Sequence, residues 1–270
     1  MTMNQQSPDW GKTVAITGAG SGLGAAMAHY FSQQGWRVAV TDIDSARAQE
    51  TLAALEQAGG EGFALVMDVT QEDDWAALEQ AVMERWGGLQ VLINNAGVAT
   101  AGTVISTPPE DWDWVLDIDL MSVVRGCRRF GAVMRRQGAG HLVNIASFAG
   151  LAGAPGISSY GVAKAGVVAL SEALRAELYH HGVGVSVACP AFVPTRLTET
   201  MRATQAGTQA QVKKWMQRSG VSAEQVAEKV FAAVERQRFL VLTHRDTRWA
   251  WRLKRWLPSV YFRMLRRHAR

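Results

Sequence analysis

Apolar residues along this chain gather into short runs bounded by glycine, proline or polar clusters, at residues 13–16, 36–41, 64–67, 89–93, 141–146 and 183–188. Runs this short, flanked by turn residues, read as buried strands. Between them the apolar spacing changes to a helical period, in the segment opening at Ala25, over about residues 73–86, and from Ser158 and Ser159 to Leu178. The two serines follow Pro155-Gly156 and are candidate helix caps. Strands alternating with helices of this length predict an α/β fold with a parallel sheet covered on both faces.

The end of the chain departs from this pattern. From Arg248 to Arg270, Trp249, Leu253, Trp256, Leu257, Val260, Tyr261, Met264 and Leu265 recur at helical spacing with Arg and Lys between them, and Pro258 should kink or divide the helix. Charge sharpens the contrast. The whole chain carries +4, but nine Lys/Arg and one Asp between Thr243 and Arg270 give that segment +8, leaving −4 on the other 242 residues. The reading is therefore one catalytic-type domain over 1–245 and a basic amphipathic tail over 246–270. A basic, tryptophan-rich helix suits peripheral contact with a membrane interface, and docking onto a neighbouring subunit is an equal alternative. No nucleic-acid partner is expected, because the body is acidic and no recognition module is present.

Composition adds bounds. With 48% hydrophobic residues in 270 and no compositional break, one domain with a full core is expected. Met1 to Trp10 is polar and shows no export signal, and no apolar run reaches membrane-spanning length. Cys127 and Cys189 lack metal-ligand spacing and read as buried hydrophobes, so no metal is expected and a cytoplasmic location is the default.

Three groups of residues carry chemistry. Thr17-Gly18-Ala19-Gly20-Ser21-Gly22-Leu23-Gly24 lies between a strand and a helix, the context in which glycines let backbone approach a pyrophosphate at a helix N-terminus. Asp42, ending the second strand, suits a ribose 2′-hydroxyl and repels a 2′-phosphate, which favours NAD over NADP. Ser147 follows the 141–146 run at a strand C-terminus, and Tyr160 stands one helical turn before Lys164. An ammonium beside a phenol favours the phenolate, so the pair is expected to draw the tyrosine pKa down.

Taken together, Thr17-Gly-x-x-x-Gly-x-Gly24, Asn94-Asn95-Ala96-Gly97, Ser147 and Tyr160-x-x-x-Lys164 resemble the ordinary-length branch of the short-chain dehydrogenase/reductase family, over about Lys12 to Leu197. The resemblance implies a single Rossmann-type three-layer sandwich with a doubly wound parallel sheet, here extended by the helical tail, and an oligomer, dimer or tetramer. It implies NAD(H) held by Gly18, Ser21, Gly22, Leu23, Gly24, Asp42, Asp68, Val69, Asn95, Ala96, Gly97, Tyr160, Lys164, Pro190, Val193 and Thr195. It implies Tyr160 as acid/base, Lys164 as ribose ligand and pKa modulator, and Ser147 as the hydroxyl that orients the substrate oxygen. The function implied is interconversion of a secondary alcohol and a ketone; a silent NAD(H)-binding sensor or scaffold is the alternative.

Two positions depart from the family pattern. Asp119 stands where the family has an asparagine that supports a proton relay, and a shifted pH optimum is expected from a carboxylate near Lys164. Pro190-Ala191 replaces Pro-Gly, so the turn must suit alanine, and Phe192 is placed either in the pocket or in the core. The segment from Arg196 to Ser219 occupies the substrate-lid position, and its Leu197, Met201, Val212, Trp215 and Met216 suggest a hydrophobic substrate.

Overall fold

The computed structural model describes residues 10–268, so all but the last residue of the polar start discussed above lies outside the described residues. The first half runs β1 (Thr13–Thr17), α1 (Gly22–Gln33), β2 (Arg37–Asp42), α2 (Ser45–Gln57), β3 (Gly62–Val66), α3 (Glu72–Trp86) and β4 (Val91–Asn94). The second half runs β5 (Thr100–Ala101), α4 (Pro109–Leu116), a π-helical turn at Asp117–Met121, α5 (Ser122–Gln137), β6 (Gly140–Ile145), α6 (Phe148–Ala152), α7 (Ser158–Leu178) and β7 (Val183–Cys189). It closes with β8 (Arg202–Ala203), α8 (Thr208–Gln217), α9 (Ala223–Glu235), β9 (Leu240–Leu242), α10 (Arg245–Trp256) and α11 (Pro258–His268).

Seven strands make one sheet in the order β3-β2-β1-β4-β6-β7-β9, every neighbouring pair parallel. Parallel neighbours need crossover helices, and these cover both faces. Because side chains alternate along a strand, Val14, Ile16, Val38 and Val40 face Met27, Phe31, Val226 and Val230 of α1 and α9. Ala15, Ala39, Leu92 and Leu142 face Trp75, Leu78, Phe130 and Val167 on the opposite side. Fully burying each of the larger apolar side chains contributes about 1.5–3 kcal/mol. The result is the Rossmann-type sandwich that the motifs imply.

The sheet order reverses at β1: the chain moves outward through β2 and β3, then returns to place β4 on the other side. Above such a reversal the loops at the strand C-termini diverge and leave a crevice. Polar groups pin its floor. Asn94 Nδ2 donates to Asn144 Oδ1 at 2.9 Å, and Asn144 Nδ2 donates to Ser171 Oγ at 2.9 Å, tying β4, β6 and α7 together inside the core.

Several sequence expectations need correction. Ser158 and Ser159 do not cap α7; Ile157 holds the cap position, and the Ser159 hydroxyl lies 2.7 Å from that of Thr100, tying α7 to β5. β9 and the β5–β8 pair escape the pattern because they have only two or three residues each, too few to show a period.

Pro258 does divide the tail, as the first residue of α11, where its missing N–H costs no helical bond. The apolar stripe of the tail is not one face, however. Tyr261 is buried, and Leu253, Val260 and Leu265 are partly covered, while Trp249, Trp256 and Leu257 are exposed. The inner side is anchored: Trp251 packs on the core, Lys254 Nζ donates to the Leu151 carbonyl at 2.6 Å, and the Tyr261 hydroxyl donates to that of Ala152 at 3.0 Å. Among the described residues no helix is long and apolar enough to cross a membrane.

Candidate active site

A cavity of about 430 Å³ opens at the sheet reversal. At one end lies the glycine turn between β1 and α1, with Gly18, Ser21, Gly22, Leu23 and Gly24 in its wall. Gly18 and Gly22 have φ of +62° and +54°, conformations that side chains disfavour. A Cβ on Gly24 would run into the Gly18 carbonyl and the Asn95 amide. Asn95 holds this turn, its Nδ2 donating to the carbonyls of Thr17 at 2.8 Å and Gly18 at 3.1 Å. Backbone thus fills the place a side chain would take, leaving the N-terminus of α1 facing the cavity. This cradle fits the pyrophosphate of a dinucleotide.

Asp42 borders the same end, its carboxylate accepting from Gly20 N–H at 2.9 Å and Asp44 N–H at 3.0 Å. Asp68 and Val69 line the neighbouring wall, with Asp68 Oδ1 accepting from the Thr70 N–H and hydroxyl. Arg47 reaches the cavity wall from the first turns of α2, where Asp44 holds its guanidinium at 3.1 Å.

Ala96 from the β4 turn lies against Gly18, and Thr195 from the loop after β7 lies against Gly22; Gly97, Pro190 and Val193 line the same cavity. Ala191 does not take a positive φ, so alanine is compatible with this turn. Phe192 goes neither into the cavity nor into the core: it is 44% exposed and its ring lies 5.5 Å from that of Trp215 on α8. His244, which no motif marks, braces the loop by accepting the Ala191 N–H at Nδ1, 3.4 Å away, with Nε2 3.2 Å from the Phe192 carbonyl.

Ser147, Tyr160 and Lys164 converge at the other end. Ser147 caps α6 by accepting the Ala149 N–H at 3.2 Å, and its hydroxyl is near enough to the Tyr160 phenol to act on its pKa. Lys164 is buried, donates to the Ile145 carbonyl at 3.2 Å, and has its Nζ 5.9 Å from the centre of the Tyr160 ring. Gly150 allows α6 to lie directly against the α7 backbone at Lys164.

Asp119 is fully buried and outside the cavity wall, behind Lys164. Its Oδ1 accepts the Val98 N–H at 2.8 Å and its Oδ2 lies 3.2 Å from Lys164 Nζ. The π-helical turn brings it inward. Burial acts to lower the Lys164 pKa, but Asp119 and Tyr160 more than offset it and hold the ammonium above its ordinary range. Tyr160 differs from the sequence expectation. Burial, the largest influence, raises its pKa; Lys164 and Ser147 oppose this, and Asp119 adds to it, so the net direction is upward.

Val98, Trp114, Ile118, Leu197 and Met216 give the remaining wall an apolar part, and Arg196, Glu199 and Thr200 also line it, with Arg196 paired to Glu199 at 2.9 Å. Leu197 and Met216 come from the expected lid, whereas Trp114 on α4 has no motif to mark it. Arg125, Arg128 and Arg129 on α5 bridge within the chain to Asp117, Glu72 and Glu79.

A doubly wound sheet with a dinucleotide-shaped cradle and a Ser–Tyr–Lys cluster at its strand ends defines a class, and comparison agrees. The family model described as short chain dehydrogenase matches residues 12–206, and the chain belongs to that family. Among curated relatives, the "Probable oxidoreductase EphD" of Mycobacterium tuberculosis strain H37Rv is 33% identical over 234 residues, covering 83% of this chain and 40% of that protein. The chain therefore spans well under half the length of these mycobacterial relatives. The "CLA biosynthesis dehydrogenase/reductase" of Lactiplantibacillus plantarum is 35% identical over 254 residues, covering 86% and 88% of the two chains. Among solved structures, a short chain dehydrogenase/reductase from Burkholderia phymatum in complex with NAD superimposes with a TM-score of 0.88 at 32% identity, covering 94% of this chain and 96% of that one.

Proposed function

We propose that this oxidoreductase interconverts a hydrophobic secondary alcohol and its ketone with NAD(H). The convergence of Ser147, Tyr160 and Lys164 on the apolar end of the cavity carries this reading. When bound, the nicotinamide accepts or gives up the hydride. The chain's own residues handle the proton and the geometry. Ser147 and Tyr160 hold the substrate oxygen between their hydroxyls, and Tyr160 as phenolate takes the alcohol proton in the oxidative direction. Lys164, kept charged by Asp119, lowers the cost of that phenolate and would hold the ribose. Val98, Trp114, Ile118, Leu197 and Met216 offer apolar surface to the substrate, and the two charged groups in the same wall, Arg196 and Glu199, are paired with each other.

Asp42 supports NAD, since its carboxylate sits where a 2′-phosphate would add a second negative charge. Arg47, at the same corner, is held by Asp44 and is not free to compensate fully. The silent NAD(H)-binding alternative draws on the upward shift of Tyr160. A panel of apolar secondary alcohols assayed for nicotinamide reduction, with NAD and with NADP, separates the two. Turnover with NAD exceeding that with NADP is expected; binding of NADH with no turnover on any alcohol or ketone would favour the sensor.

A further inference from the structure

The helical tail presents an outward surface that neither the sheet nor the cavity uses. Its inner side is committed to α6 and the core through Trp251, Lys254 and Tyr261, so the exposed side is fixed in orientation rather than carried on a loose arm. On α10, Trp249 and Trp256 are seven residues apart, two turns along one face, with Arg252 between them; they are 60% and 77% exposed. On α11, Phe262 is 63% exposed, beside Arg263 and one turn before Arg266. Among the described residues none of these three arginines pairs with a carboxylate. The sequence holds no Asp or Glu after Asp246.

We infer that this surface docks the enzyme onto an anionic lipid bilayer. Indole rings suit the headgroup level, and guanidiniums between them meet lipid phosphates and carboxylates. Charge selects this occupant over a second copy of the chain, because a symmetric contact through the same patch would set a +8 segment against its own image. The rest of the chain, at −4, is repelled by the same bilayer, so only the tail side faces it.

Sedimentation of this 270-residue chain with vesicles tests this. Binding to vesicles of phosphatidylcholine mixed with phosphatidylserine, but not to phosphatidylcholine alone, is expected, and it should weaken as salt rises. Arg252→Gln and Arg263→Gln should each weaken binding roughly fivefold. Trp249→Ala with Trp256→Ala should weaken it further, while NADH binding stays unchanged in every variant. Equal binding to both vesicle types, no binding at low salt, or arginine variants that bind like the parent would overturn the inference. So would loss of oligomer in the tryptophan variant, or retention of DNA without retention of lipid. Because NADH binding and alcohol turnover are read separately, failure here leaves the proposed reaction standing.

Discussion

Asp119 is the residue at which this chain most changes its own chemistry. A buried carboxylate 3.2 Å from Lys164 keeps the ammonium charged, but it also adds to the burial that raises the Tyr160 pKa. In the proposed reaction, alcohol oxidation needs Tyr160 without its proton, so the rate should climb with pH as that proton leaves. In Asp119→Asn the opposing charge is gone, while the phenolate itself still favours a charged Lys164. The rising limb of the kcat profile should therefore move to lower pH. A limb that stays put, or moves upward, would show that Asp119 does not act on the tyrosine. Sequence spacing located Asp119 and Lys164 but not the sign of the net shift. That sign depends on how deeply Tyr160 is buried, a property of packing between α7 and the loops that no local pattern encodes.

At the scale of elements, the glycine turn was readable because its chemistry is local: a strand, a set of glycines and a helix are contiguous in sequence. Its tightness is a property of the fold. Gly24 touches the Gly18 carbonyl and the Asn95 amide, so Gly24→Ala should push the turn open. The expected cost is roughly 1–3 kcal/mol of stability, with NADH affinity falling roughly tenfold or more as the cradle distorts; titration of NADH fluorescence measures the latter. Unchanged affinity would mean the dinucleotide does not rest there. Trp114, Arg47 and His244 stayed invisible for the opposite reason. Each reaches the cavity or its rim from an element far along the chain or from an undistinguished helix turn. The tail was half legible: its helical period and the break at Pro258 could be read, but which tryptophans face inward is decided by α6, and Trp251 rather than Trp249 wins that place.

The molecule as a whole depends on a sheet buried on both faces, and this makes it sensitive to acid at a point remote from the cavity. His141 on β6 lies inside the core with Nε2 2.8 Å from Ser186 Oγ, and burial lowers its pKa to about 4, with Gln237 opposing. An unfolded histidine titrates near ~6.5, so between these values the unfolded chain holds more protons than the folded one. Stability should therefore fall as pH drops from the upper value to the lower, by roughly 3 kcal/mol. Urea unfolding across that range should show the slope, and His141→Gln should flatten it.

The cavity, its cradle and its proton-handling cluster all serve one claim: that Tyr160 exchanges the substrate proton at the end of a dinucleotide cleft. Tyr160→Phe removes the hydroxyl and keeps the ring. Turnover of the best alcohol in the panel, measured beside NADH affinity, should be abolished while affinity stays within a small factor of the parent. A Phe variant that turns over like the parent would contradict the account.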